Sequence, residues 1–269
     1  MEQNRDVYME SRIRALLGAA CPGLHCFGEI DSTNTRLKRM ALEGAEHGSV
    51  VMARSQNAGR GRMGRTFLSP EGKGLYLSLL LRPNLPAEKL MRCTGMAAVA
   101  ACRALERACG VRPAIKWTND LVLNGRKLCG ILAETVISGT ETALVIGVGI
   151  NLTNTEEDFG AELRRVATSL ALEGHAVDTA CLAAALIREL KVLADALGGD
   201  VTPWVEEYRS RCVNLGKEAQ LLWTEGRERV VALDVDDSFG LIVQRGDGTL
   251  YTVCSGEVSV RGMYSYIDA

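Results

Sequence analysis

Three arginines and three glycines share seven positions, Gly59-Arg60-Gly61-Arg62-Met63-Gly64-Arg65. Glycine lets a backbone turn tightly and approach a ligand closely. A guanidinium binds phosphate or carboxylate through a planar fork. The combination predicts a loop that folds over a small anion. The string also fits G-x-G-x-x-G, which marks a dinucleotide site only between a strand and a helix. A strand precedes it at Ser49 to Ala53, but Pro70, Gly72 and Gly74 break any helix after it. Gly72-Lys73 and Gly216-Lys217 lack the Ser or Thr of a phosphate-binding P-loop. The bland alternative is an exposed basic loop without a ligand.

Two further stretches carry chemistry. Asp31-Ser32-Thr33-Asn34 puts four cap-type residues in a row. They start a helix, and they also offer hydrogen bonds to a polar ligand at its N-terminus. Ile115-Lys116-Trp117-Thr118-Asn119-Asp120 leads into Leu121 to Leu123, and Asn124-Gly125 is a type I′ turn signal. Arg126 to Glu134 forms the return strand, so Lys116, Asp120 and Lys127 lie close across a hairpin. Three charges on apolar strands are costly to bury unless paired or liganded. They are either exposed edge charges or ammonium groups aimed at an anion, with Asp120 holding one of them or a metal.

The elements that position these residues follow in order. Residues 7 to 20 form an amphipathic helix and residues 24 to 30 a strand. The capped helix continues to about Ala45. Strands follow at His47 to Ala53 and Gly74 to Leu81, the second apolar enough for burial on both faces. Pro86 opens one long core helix to about Cys109. Thr142 to Ile150 is a buried strand ending on Gly147, Gly149 and Asn151, where glycine marks close approach. Residues 152 to 177 form a loop with short helical pieces. Asp178 caps a helix to about Leu197, and Thr202-Pro203 opens another to about Cys212. From Gly216 on, short strands at 219–223, 229–234, 241–244, 250–253 and 258–260 alternate with turns such as Gly246-Asp247-Gly248. That rhythm predicts a small barrel of about fifty residues.

Composition narrows the classes. The chain has 269 residues, 47% hydrophobic and 24% charged, with a net charge of −2. It can bury a full core, and it carries no global basic field for nucleic acid. Nine cysteines without a C-x-x-C pair, and three scattered histidines, argue against structural zinc and a disulfide framework. No signal peptide or membrane-length apolar run is present, and a reducing cytoplasm fits. About thirty residues precede the first motif, too few for a helix-turn-helix domain.

The order of motifs (Asp31-Ser32-Thr33-Asn34, Gln56, the glycine–arginine loop, Lys116 to Asp120, Arg126 to Leu132, Ile146 to Asn151, then short strands) resembles the bacterial biotin–protein ligases. The resemblance runs from about Glu29 to Arg261, in a form without an N-terminal DNA-binding domain. It implies an α+β fold: a class II synthetase-like mixed β-sheet catalytic domain with helices over residues 1–214, plus an SH3-like β-barrel over residues 215–269. The implied reaction joins biotin and ATP, with Mg²⁺, into biotinyl-5′-AMP and pyrophosphate. The biotin then passes to a lysine of a biotin carboxyl carrier domain of an acyl-CoA carboxylase. No DNA or membrane partner is expected.

The resemblance also implies roles. Ser32, Thr33, Asn34 and Gln56 would meet the biotin head group. Gly59, Arg60, Gly61 and Arg62 would close over it, and Gly130, Leu132 and Gly147 would shape the tail slot. Arg62, Arg65, Phe67, Lys116, Asn119 and Asn151 would bind ATP and the adenylate. Lys127, Arg62, Lys116 and Asp120 would be catalytic, with Lys127 holding the biotin carboxylate and no protein cage for the metal. Thr118 stands where the signature has proline, which predicts a looser turn. Phe67 stands where tryptophan is frequent, a smaller ring for adenine. The rival reading is a lipoate– or octanoate–protein ligase or transferase of the same fold. A non-enzymatic nucleic-acid binder lacks support in charge and aromatic content.

Overall fold

The computed structural model describes residues 5–18, 23–138, 141–223, 226–254 and 259–261. Its frame is a seven-stranded sheet of β1 (Leu24–Ile30), β2 (Val50–Gln56), β3 (Gly74–Leu81), β4 (Ala114–Lys116), β5 (Asp120–Leu123), β6 (Arg126–Ser138) and β7 (Glu141–Asn151). The spatial order is β1-β2-β3-β7-β6-β5-β4. β1 and β2 run parallel, and every other neighbouring pair is antiparallel.

The helices are α1 (Val7–Leu17), α2 (Thr33–Leu42), α3 (Ala87–Leu90), α4 (Cys93–Cys109), α5 (Glu156–Leu163), α6 (Thr179–Ala196) and α7 (Thr202–Arg211). Strand periodicity explains how they cover the sheet. Leu75, Leu77, Leu79 and Leu81 of β3, with Leu144, Ile146, Val148 and Ile150 of β7, join one core with α1, α4, α6 and α7. The intervening Leu80, Ala143 and Val145 pack with Leu37 and Ala41 of α2 in a second cluster on the opposite face. Successive strand side chains point to opposite faces. A strand covered on both faces therefore reads as the near-continuous apolar run of β3. No helix among the described residues is long and apolar enough to cross a membrane.

The C-terminal strands β8 (Lys217–Trp223), β9 (Gly226–Val235), β10 (Leu241–Arg245), β11 (Leu250–Val253) and β12 (Ser259–Arg261) form a second, antiparallel sheet. Its order is β11-β10-β9-β8-β12. Leu221, Val230, Phe239 and Val243 from this unit share a core cluster with α4 and α7. The mixed sheet with helices and the small β unit agree with the α+β expectation. The first residue of the strand expected at 258–260 lies outside the described residues.

Several local expectations change. The single helix from Pro86 to Cys109 is two pieces, because α3 stops at Leu90 and α4 starts at Cys93. Helix α2 ends at Leu42 rather than Ala45. Gly44 turns left-handed at φ +93°, and the Ala45 N–H bonds back to the Met40 carbonyl at 2.8 Å. Ser32 is the cap of α2 by backbone, but its side chain makes no capping bond. Lys116 and Asp120 face each other across a tight β4–β5 hairpin. Asn124 and Gly125 then take φ +48° and +78° at the β5–β6 turn, as the type I′ signal requires.

That second hairpin is fixed by one carboxylate. Glu173 accepts from Asn124 Nδ2 at 2.5 Å, Arg126 Nη2 at 2.8 Å and Thr168 Oγ1 at 2.6 Å. Burial by itself raises the Glu173 carboxyl, but bonds from Thr168, Asn124 and Arg126 bring it below its ordinary value of 4.5. Glu173→Gln is expected to cost about 1–3 kcal/mol of stability near neutral pH, the range for a hydrogen-bonded charge. Because the folded value is depressed, this contribution is fully present above the unfolded value of 4.5. It is lost as pH falls through the lower folded value. Urea melts of both proteins from pH 7 downward should therefore converge below pH 4.5.

Candidate active site

A cleft of about 240 Å³ lies over the α2 face of the large sheet. Its floor follows from the same periodicity that builds the core. Gly147 and Gly149 of β7 and Gly130 and Leu132 of β6 alternate with core residues and line the cleft. The three glycines leave space that other side chains fill. A Cβ on Gly147 would sit 2.2 Å from Asn34 Oδ1. One on Gly149 would sit 2.6 Å from the Phe67 ring, and one on Gly130 3.1 Å from that ring and 3.3 Å from Lys127 Nζ.

The glycine–arginine loop closes one side as a small hairpin. The Phe67 N–H donates to the Gly59 carbonyl at 2.9 Å, and the Gly61 N–H to the Arg65 carbonyl at 2.7 Å. A single 3₁₀ turn, Arg62–Gly64, forms the tip, where Met63 and Gly64 take φ +56° and +73°. Gly64 supplies a left-handed position cheaply. Gly59 has a different reason to lack a side chain: a Cβ there would lie 2.3 Å from the Phe67 carbonyl.

A chain of polar contacts runs beneath this loop. The Phe67 carbonyl accepts from Ser69 Oγ at 3.0 Å, and Ser69 Oγ accepts from Gln56 Nε2 at 2.8 Å. Gln56 Oε1 accepts from the Thr33 N–H at 2.8 Å and from Thr33 Oγ1 at 3.2 Å. Gln56 thus satisfies one of the N–H groups at the helix start that have no partner within the helix. Ser78 Oγ lies 2.8 Å from Thr33 Oγ1 and donates to Asn34 Oδ1 at 2.6 Å. Asn34 Nδ2 donates to Glu134 Oε2 at 2.9 Å. Glu134 Oε1 also meets Lys38 Nζ at 2.7 Å and Arg60 Nη2 at 3.2 Å. Burial raises the Glu134 carboxyl, but Lys38, Asn34 and Arg60 outweigh it and hold the group below its ordinary value.

The cations converge from separate elements. Lys127 pairs with Asp120 at 2.7 Å. Its backbone is tied on both sides, N–H to the Val166 carbonyl and carbonyl to the Thr168 N–H. Arg62 Nη1 donates to Asn119 Oδ1 at 3.1 Å. Burial draws the Arg62 guanidinium down, against the pull of Asp120 in the other direction. The turn carrying Asn119 and Asp120 is held from behind, contrary to the loose turn expected at Thr118. The Trp117 N–H donates to Asn214 Oδ1 at 2.7 Å and Trp117 Nε1 to the Phe239 carbonyl at 2.8 Å. Tyr208 donates to the carbonyl of buried Thr118 at 3.2 Å.

Ser32, Thr33, Asn34, Gln56, Arg60, Gly61, Arg62, Arg65, Phe67, Lys116, Asn119, Asp120, Lys127, Gly130, Leu132, Gly147 and Asn151 all line the one cleft. Gly59 does not, being buried behind the Phe67 carbonyl. Arg65 is exposed. Asn151 Nδ2 is committed to the Thr168 carbonyl at 2.9 Å. Sequence reasoning missed Ser78, Glu134 and Lys38. A serine inside Leu-Tyr-Leu-Ser-Leu-Leu-Leu was the available signal for Ser78. Glu134 follows Gly130 and Leu132 at period two, which puts it on the same face.

Known proteins share this architecture. The model of the biotin/lipoate A/B protein ligase family matches residues 27–151. The chain is 34% identical over 242 residues to the biotin--[acetyl-CoA-carboxylase] ligase of Paracoccus denitrificans, spanning 86% of this chain and 98% of that relative. It is 34% identical over 244 residues to the bifunctional ligase/repressor BirA of Bacillus spizizenii, spanning 89% of this chain and 75% of that relative. Its fold is similar to the biotin protein ligase from Aquifex aeolicus in complex with biotin and ATP. That likeness has a TM-score of 0.78 at 27% identity and covers 90% of this chain and 100% of the other.

The glycine floor yields a graded test. Gly147→Ala must expel Asn34 from its place between Ser78 and Glu134, so about 1–3 kcal/mol of destabilisation is expected, as for overpacking. Gly149→Ala meets only a half-buried ring on the loop and is expected to cost less than about 1 kcal/mol. Paired chemical-denaturation curves give both values.

Proposed function

The chain belongs to the biotin–protein ligases of the biotin/lipoate A/B protein ligase family, and from that premise we propose an ATP-dependent ligase. It forms biotinyl-5′-AMP and transfers the biotin to a lysine of a biotin carboxyl carrier domain. The observation that carries the reading is the single cleft in which a polar head pocket and the cations Arg62, Lys116 and Lys127 meet.

The pocket chemistry suits the substrate. Biotin's ureido ring is a neutral donor–acceptor group, and Ser32, Thr33, Asn34 and Gln56 are neutral, short and buried or half-buried. A dithiolane or plain acyl chain offers no matching set of donors and acceptors to those groups. The apolar tail would lie over Gly130, Leu132 and Gly147.

In the first step the biotin carboxylate attacks the α-phosphorus of ATP. A P–O bond forms, the bond to the β-phosphate bridge breaks, and pyrophosphate leaves. Two anions must approach each other, so fixed cations lower the barrier. Lys127 is assigned to the biotin carboxylate and then the adenylate, and Asp120 holds its ammonium in place. Arg62, oriented by Asn119, and Lys116 are assigned to the phosphates. Arg65, Phe67 and Asn151 are assigned to the nucleotide. Among the described residues no group of three or more His, Cys, Asp or Glu could hold a metal ion. Mg²⁺ is assigned to the ATP phosphates as part of the substrate. In the second step a carrier lysine amine attacks the acyl carbon. An amide forms, the bond to AMP breaks, and the amine loses a proton. The loop over the cleft would shield the mixed anhydride from water between the steps.

The division at residue 214 into a catalytic domain and a small SH3-like domain belongs to the same proposal. It is supported by the separation of the two sheets. So does the cytoplasmic setting, which is consistent with eight free cysteines among the described residues.

Pyrophosphate release that requires both ATP and biotin, with a single biotin mass gain on a carrier domain, is the expected result. Calorimetry showing lipoate bound and biotin ignored would overturn the assignment. Arg62→Ala should raise free biotinyl-AMP per biotinylated carrier by about tenfold or more, a barrier change of ~1.4 kcal/mol or above. Chromatography of quenched reactions measures that ratio.

A further inference from the structure

Glu134 has no part in the roles assigned above, yet it stands where the loop and the head pocket meet. It projects from β6 on the cleft face, two residues beyond Leu132 and four beyond Gly130. Its carboxylate collects one contact from each of three directions. Lys38 comes from α2 at 2.7 Å, Asn34 from the start of that helix at 2.9 Å, and Arg60 from the loop at 3.2 Å. The Glu134 side chain is 18% exposed and that of Arg60 51%. A carboxylate this enclosed needs compensating partners, and all three are donors.

The contact with Arg60 matters because of where Arg60 lies. It is on the outgoing limb of the loop hairpin, opposite Thr66 on the return limb. The return limb is already tied to the head pocket through the Phe67 carbonyl, Ser69 and Gln56. Glu134 ties the outgoing limb to the same pocket through Asn34, whose Oδ1 accepts from Ser78. Both limbs of the loop are thus anchored to the polar groups that would receive the head group.

We propose that Glu134 is a positioning residue that latches the ligand-covering loop through Arg60 and links that latch to the head pocket through Asn34. The assignment rests on the biotin-ligase reading for its ligand, but the contacts that make the latch are all between residues of the chain itself. Arg60 then serves through its side chain as a loop anchor and not as a phosphate ligand. The bland alternative is that Glu134 only neutralises Lys38 on α2.

Hydrogen exchange followed by mass spectrometry on the full chain without ligand separates these. In Glu134→Gln and Arg60→Gln, amides of residues 59–67 should exchange about two- to fivefold faster, as for loss of a partly screened ion pair. Lys38→Gln should match the wild type. The biotin dissociation rate should rise by a similar factor in the two latch variants. The Arg60→Gln/Glu134→Gln double variant should be no worse than the more affected single one. Unchanged loop exchange in both latch variants, effects that multiply in the double variant, or a Lys38→Gln effect equal to that of Glu134→Gln would overturn the proposal. A wild-type chain that ignores biotin but shows the predicted exchange pattern would sink the ligase reading and leave the latch standing.

Discussion

The structure depends on a requirement to satisfy polar groups on an otherwise apolar sheet face. Thr33, Asn34 and Ser78 are almost wholly buried. Each unpartnered polar atom there would cost a few kcal/mol, on the order of 1–3 by mutational measure. The chain meets this cost with one connected set of contacts from the Phe67 carbonyl to the Arg60 guanidinium. The set begins and ends on the same loop. Satisfying the pocket therefore also places the loop, and no part of it can shift without orphaning a neighbour.

The glycines of β6 and β7 make that arrangement sterically possible. Each faces the cleft while its sequence neighbours face the helical core. Removing Cβ atoms on one face costs the other face nothing, since the pleat separates them. The vacated volume is occupied by Asn34, the Phe67 ring and the Lys127 stem. The cleft floor is thus made of side chains from α2, the loop and β6 itself laid over bare backbone.

The sequence carried much of this architecture. Strand periodicity, the Asn124-Gly125 turn and the Asp178 cap were readable because each depends on a few adjacent residues. The break at Met91 and Arg92 was not readable, since both take helical dihedrals and nothing in their types ends a helix. The glycine–arginine loop and the hairpin charges were visible as residue types that demand partners. Which partners they find was not visible. The Glu134 contacts span about a hundred residues of sequence to Asn34 and Lys38. The bond from Trp117 to Phe239 spans 122. Long-range pairings of this kind are set by topology, and local pattern is silent about them.

One such pairing explains why the small β unit bears on the cleft at all. Asn119 sits on a three-residue connection between short strands at the sheet edge, with Lys116 and Asp120 at the strand ends that flank it. An edge turn of that length has little packing of its own to fix it. Here Phe239, itself left-handed at φ +63°, fills the notch at Gly95, packs edge-on against Tyr208 at 5.2 Å and accepts from the Trp117 indole. Tyr208 in turn donates to Thr118, and Asn214 receives the Trp117 N–H. The turn is thereby clamped from the side away from the cleft, and its cleft side is left to orient Arg62 through Asn119 and Lys127 through Asp120. Cations that must meet an anionic transition state lower its energy most when they need no rearrangement on reaching it. The C-terminal unit adds to that fixity through Phe239, and among the described residues it places no charge in the lining of the cleft.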